Sequence, residues 1–138
     1  MITIFLLAVF PLNAVTAQQK TAAEKVDSIL SVIPQLNDSE KDNAFRQIIE
    51  LTVGTPDEKH YTRMYLQEAR SRKNIEGEGF ALQRLAEAYY AQWDTDSVFI
   101  YADEAIRFAQ QHRLYNYLAS LRIMLIGRYH GSVVKAVD

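Results

Sequence analysis

The stretch YYAQWDTDSVFIYADEAIRFA, Tyr89 to Ala109, decides how this chain is read. Two tyrosines close one apolar run, a short polar break follows, and Val98 opens a second run. Val98, Tyr101, Ala102 and Ala105 fall on one stripe at helical spacing, while Phe99, Ile106 and Phe108 carry apolar surface around the same helix. A helix that is apolar on two sides needs two partners. A stack of helical hairpins supplies them, because each inner helix packs on its own partner and on the next unit.

Working outward, the pattern predicts helices and no strands: apolar and polar residues never alternate for long, and Ala, Leu, Glu, Arg and Gln dominate. A first helix is expected from about Ala22 to Ile33, stopped by Pro34. Ser39, with Asp42 three residues on, is expected to cap a second, which carries Phe45, Ile48, Ile49 and Val53 and ends at Gly54. Thr55-Pro56-Asp57-Glu58 combines a capping hydroxyl, a first-turn proline and acids at the positive end of a third helix. Gly77 and Gly79 are expected to mark the next turn, before a fourth helix from about Phe80 to Gln92. A fifth, capped by Asp94 or Thr95, runs to about Gln111, and a sixth spans about Leu114 to Tyr129. Gly131-Ser132 is expected to open a seventh. Short connections make successive helices antiparallel neighbours.

Shifting the chain by 36 residues lays Tyr65 on Tyr101, Glu68 on Glu104, Ala69 on Ala105, Leu82 on Leu118 and Leu85 on Leu121. A period in the thirties with two helices per unit marks a helical solenoid. The segment Leu82-x-x-Leu85-Ala86-x-x-Tyr89, followed by Val98, Ala102 and Ala105, resembles the tetratricopeptide repeat. Leu85, Tyr89 and Ala105 match its pattern outright; Leu82 stands for Trp, Ala86 for Gly, Val98 for Ala and Gln110 for the closing Pro. The likeness is good over Gly79 to His112, looser over Asp42 to Glu76, and out of register beyond Arg113. It implies an all-α fold of antiparallel hairpins stacked as a right-handed solenoid. Its motif is a set of packing positions and carries no chemistry of its own.

Composition agrees with one folded domain of 138 residues, 49% hydrophobic and 23% charged, with a formal charge of −2. No net basic field draws it to nucleic acid, and the five basic residues between Arg107 and Val137 are spaced widely enough to be a solvated rim. Cysteine is absent, which removes disulfides, thiolate nucleophiles and a lipoprotein's acceptor residue. The first 17 residues, MITIFLLAVFPLNAVTA, carry no charge, break at Pro11 and end in Val15-x-Ala17, where a signal peptidase takes small side chains. Their apolar run is shorter than the about 20 residues a membrane-spanning helix needs. A signal peptide over 1–17 and a helical repeat domain over 18–138, exported to the periplasm or beyond, are therefore expected, although no lysine or arginine precedes Ile4.

No catalytic set can be named. His60, His112 and His130 lie far apart, Asp94 with Asp96 and Asp103 with Glu104 read as caps or helix edges, and Gly77-Glu78-Gly79 lacks the rest of a phosphate loop. Tyr65, Tyr89 and Tyr101 sit at core spacing; Tyr90, Trp93 and Tyr117 are left open. In tetratricopeptide arrays the first helix of each unit lines a concave surface that takes peptides. Carried onto this chain, the resemblance places Gln83, Glu87 and Tyr90 on that surface. The expectation is a non-enzymatic protein- or peptide-binding module without cofactor, metal or nucleic acid, similar to the exported input regions of bacterial sensor and regulatory proteins. The alternative is a structural scaffold of the cell envelope. Of the thirteen residues from Leu114 to Ile126, only Asn116, Ser120 and Arg122 are neither apolar nor alanine. This helix is thus expected to be covered by a continuation of the array, and any membrane attachment to lie downstream of Asp138.

Overall fold

The computed structural model describes residues 21–92 and 95–135, with side chains through Gly127 except that of Thr95; the expected signal segment, Trp93 and the expected α5 cap at Asp94 or Thr95 lie outside the description. Among the described residues six α-helices follow one another: α1 (Ala22–Val32), α2 (Asp38–Thr52), α3 (Asp57–Ser71), α4 (Ile75–Ala91), α5 (Thr95–Gln111) and α6 (Tyr115–Lys135). The same residues contain no strand.

The start and stop chemistry differs from the sequence reading at several ends. The residue that caps α2 is Asn37, not Ser39: its side chain accepts the Glu40 N–H at 3.0 Å and Glu40 accepts the Asn37 N–H in return. Thr55 caps nothing; its hydroxyl turns back to donate to the Thr52 carbonyl. Glu58 instead reaches back to accept the Gly54 N–H at 2.8 Å, and Gly54, at φ +76°, takes the left-handed turn that ends α2. Gly77 and Gly79 are not a turn. They lie buried in the first turns of α4, which Asn74 caps by accepting the Gly77 N–H. Gly131-Ser132 likewise fails to interrupt α6, which runs on to Lys135; one helical glycine costs only about 1 kcal/mol.

The turns after α3 and α5 are copies. Lys73 and Arg113 both adopt positive φ, at 55° and 59°, and the next amides, Asn74 and Leu114, both donate to an alanine carbonyl, Ala69 and Ala109, at 2.8 Å. This is a helix-ending motif with a charged residue where glycine is usual. The equivalent residues are 40 apart, not 36. One helical turn is about 3.6 residues, so a comparison one turn out of step still superposes the same face.

The core forms where α3, α4 and α5 meet. Leu82, Leu85, Ala86, Val98, Ala102 and Ala105 are all buried, one stripe on each helix, but Phe99, expected on a second buried side of α5, is exposed. Aromatic rings fill the rest. Tyr65 stacks on Phe45 with ring centres 5.2 Å apart and meets Phe80 edge-on, and Tyr89 stacks on Tyr101 at 4.8 Å. Arg70 of α3 joins α5 through Glu104 at 2.6 Å, and α4 touches both α5 and α6. At the far end, α6 leaves Tyr115, Ile123 and Ile126 well exposed.

Candidate functional site

Positions 76, 80, 83, 87 and 90 of α4 recur at alternating steps of four and three, which places them on one face of the helix. That face lies between α2 and α6. Arg46 of α2 sets its guanidinium 4.0 Å above the Phe80 ring. From the other side, the Tyr117 hydroxyl of α6 donates to Glu76, and Gly127 comes close enough that a side chain added there would sit 3.5 Å from the Tyr90 hydroxyl. A Cβ at Gly127 is tolerated at that distance; the close approach of α6 depends instead on Gly79. A Cβ at Gly79 would lie 2.5 Å from a Leu114 methyl and 3.1 Å from the Tyr117 ring.

The structure puts Gln83, Glu87 and Tyr90 on this shared face, all three half-buried. Gln83 donates to Glu87 at 2.6 Å, and Arg84 donates to the second Glu87 oxygen at 3.1 Å. Arg84 also reaches Glu58 at the start of α3, at 3.0 Å. Glu87 is therefore neutralised and held still by its own helix, so it orients Gln83 more readily than it binds a cation.

Sequence reading left Tyr117 open and missed the other members that come from α2 or from the start of α4: Arg46, Phe80 and Glu76. Only contact across α2, α4 and α6 marks them. Both acids one turn from Arg46 on α2 are denied to it. Asp42 is taken by Arg72 and by Asn74, and Glu50 lies beyond ion-pair distance. Among the described residues Arg46 has no carboxylate partner. Burial opposes its charge, yet the phenol oxygens of Tyr117 and Tyr65 outweigh that and raise its pKa. Beneath it, the Tyr65 side chain is wholly buried and its hydroxyl, though near Arg46 and Asp42, is in hydrogen-bonding geometry with neither. Burial first, then Asp42, pushes the Tyr65 phenol up to about 12. Tyr117 is also raised, by burial and by its hydrogen bond to Glu76.

Beside Arg46 opens a cavity of about 480 Å³ between α1 and α2, walled by Ile29, Val32, Leu36 and Ala44 and rimmed by Asn43 and Glu50. Among the described residues no three acids or histidines converge as metal ligands, and no helix is long and apolar enough to cross a membrane. His60 is exposed beside Tyr61, and His112 lies 4.4 Å from the Phe108 ring. Comparison with protein-family models, curated proteins and solved structures finds no match to this chain.

Proposed function

We propose that this chain is a non-enzymatic module that binds an extended protein segment along the face shared by α2, α4 and α6, on a tetratricopeptide-like stack of hairpins. The observation that carries the reading is the convergence of side chains from three non-consecutive helices on one face, with the Arg46 guanidinium left without an acid. The repeated turn at Lys73 and Arg113 and the packing of α5 on both α4 and α6 support the repeat arrangement. The segment 1–17 supports export, and with it a role as the extracytoplasmic input part of a bacterial signalling or regulatory protein.

The test is a peptide-display selection on the full chain, followed by backbone NMR mapping of a selected peptide. Binding on the proposed face perturbs amides of α2, α4 and α6 and weakens in Gln83→Lys and Tyr90→Ala. A selected peptide that perturbs only the α1 or α5 outer surfaces would refute the assignment. The scaffold reading is favoured by one feature, the exposed apolar face of α6 at Tyr115, Ile123 and Ile126. Self-association abolished by Ile123→Glu would support it.

A further inference from the structure

We propose that Arg46 is the anchor for one acidic side chain of the bound segment, and that the α1–α2 cavity beside it takes an adjacent apolar side chain. This inference rests on the peptide-binding reading above and names the chemistry that the face selects. A guanidinium on a helix ordinarily pairs with an acid one turn away. Arg46 has two such acids in sequence, Asp42 and Glu50, and pairs with neither. It is turned instead toward α4, its guanidinium carbon 4.0 Å from the centre of the Phe80 ring and beside the Tyr117 and Tyr65 phenols. An aromatic floor holds a guanidinium by its face and leaves its N–H edge directed outward, the edge that meets a carboxylate.

The Tyr65 hydroxyl behind Arg46 is fully buried, so it backs the guanidinium from within the fold and meets no ligand. Arg46 is half-buried, and its guanidinium is the donor here that a bound carboxylate can reach. The rest of the surroundings limits the ligand to one acid. Glu50 stands on the same wall without a cation, so a run of acids in the ligand would be repelled. Glu40, also on the rim, is occupied in the cap of α2. Arg46 lines this cavity together with the apolar side chains of Ile29, Val32, Leu36 and Ala44, so an acid held by Arg46 places its neighbour in the ligand beside an apolar wall. The cavity volume of about 480 Å³ has room for a leucine- or phenylalanine-sized group. The recognised element is thus an acidic residue next to a large apolar one in an extended chain.

The test selects a random displayed peptide library against the full chain and against Arg46→Met, with circular dichroism confirming the fold of the variant. Wild type is expected to enrich a single Asp or Glu beside Leu, Ile or Phe. A synthetic peptide of that sequence is expected to lose about ten- to a hundredfold in affinity when its acid is replaced by the amide, the weight of one charge-assisted contact. Arg46→Met is expected to lose a similar factor and to be indifferent to that replacement, and Val32→Asp to weaken binding through the cavity. If Arg46→Met does not fold, the acid-to-amide comparison on wild type decides alone. Peptides that bind the α4 face with no acidic preference, and equally well to Arg46→Met, overturn this inference and leave the peptide-binding reading standing. Loss of binding on amidating only the peptide's C-terminus overturns the side-chain assignment. A library that yields no binder overturns both readings.

Discussion

Replacing Gly77 by alanine should destabilise the protein, against the ordinary rule for helices. Gly→Ala inside a helix normally stabilises by about 0.5–1 kcal/mol, because alanine has less backbone freedom to lose. At Gly77 the added Cβ would stand 2.8 Å from the Asn74 amide nitrogen and 2.8 Å from the Tyr65 hydroxyl. Neither neighbour can easily retreat. Asn74 is held at both ends, accepting the Gly77 N–H at 3.0 Å and donating to Asp42 at 2.6 Å. Tyr65 is clamped between Phe45 and Phe80. Loss of a cap costs about 1 kcal/mol and overpacking about 1–3 kcal/mol, so the balance is about 1–3 kcal/mol of net destabilisation and a melting temperature several degrees lower. Tyr65→Phe removes one of the two colliding atoms. Gly77→Ala should therefore cost less when combined with Tyr65→Phe, with a coupling of at least about 0.5 kcal/mol in a double-mutant cycle followed by urea denaturation. Gly77→Ala melting at or above wild type, or strictly additive effects, would refute the close approach of α3, the α4 cap and Asp42 described above.

Four further outcomes follow from the same geometry. The Tyr65 phenol, raised from 10.0 to about 12, stabilises the fold in full below pH 10; between pH 10 and 12 about 2–3 kcal/mol should be lost as the unfolded chain ionises first, and Tyr65→Phe should flatten that loss in alkaline denaturation curves. Arg84→Met leaves the nearly buried Glu58 carboxylate with only the Gly54 N–H, so chemical denaturation should report a loss of about 3–5 kcal/mol, most of it restored by adding Glu58→Gln. Lys73→Gly and Arg113→Gly relieve positive-φ residues and should each add about 1 kcal/mol by calorimetry. Ala105→Phe, at a position 3% exposed, should cost at least about 1–3 kcal/mol, whereas Gln92→Ala, whose side chain accepts an exposed hydrogen bond from Lys59, should change the melting point little.

What was legible in the sequence is what periodicity and chain ends encode locally. The burial of Leu82, Leu85, Ala86, Val98, Ala102 and Ala105 follows from their spacing alone, since residues three and four apart share a helix face wherever the helix is placed. The acid-rich start at Asp57-Glu58 and the Gly54 stop were equally local. Caps were less secure, because Asn37 and Ser39 are both competent and the choice depends on which lets Glu40 close the box. Glycine was misread for a related reason. A glycine can mark a turn or a place where another backbone or ring comes near, and Gly77 and Gly79 are of the second kind.

By itself, then, the sequence determined an all-helical chain, the order of its helices and the main stripe that α4 and α5 bury, because those depend on residues a turn or two apart. Gln83, Glu87 and Tyr90 could be placed on one face by the same arithmetic. Only the tertiary structure decided what flanks that face. Arg46, Phe80 and Tyr117 are tens of residues apart on three helices, and nothing in their local spacing says that they meet. Their meeting depends on Gly79 letting Leu114 and the Tyr117 ring close on α4, and on Arg72 and Asn74 claiming Asp42 and so leaving Arg46 without its neighbour. A pairing given up by one helix because two residues of another segment outcompete it is a property of the packed chain, not of any stretch within it.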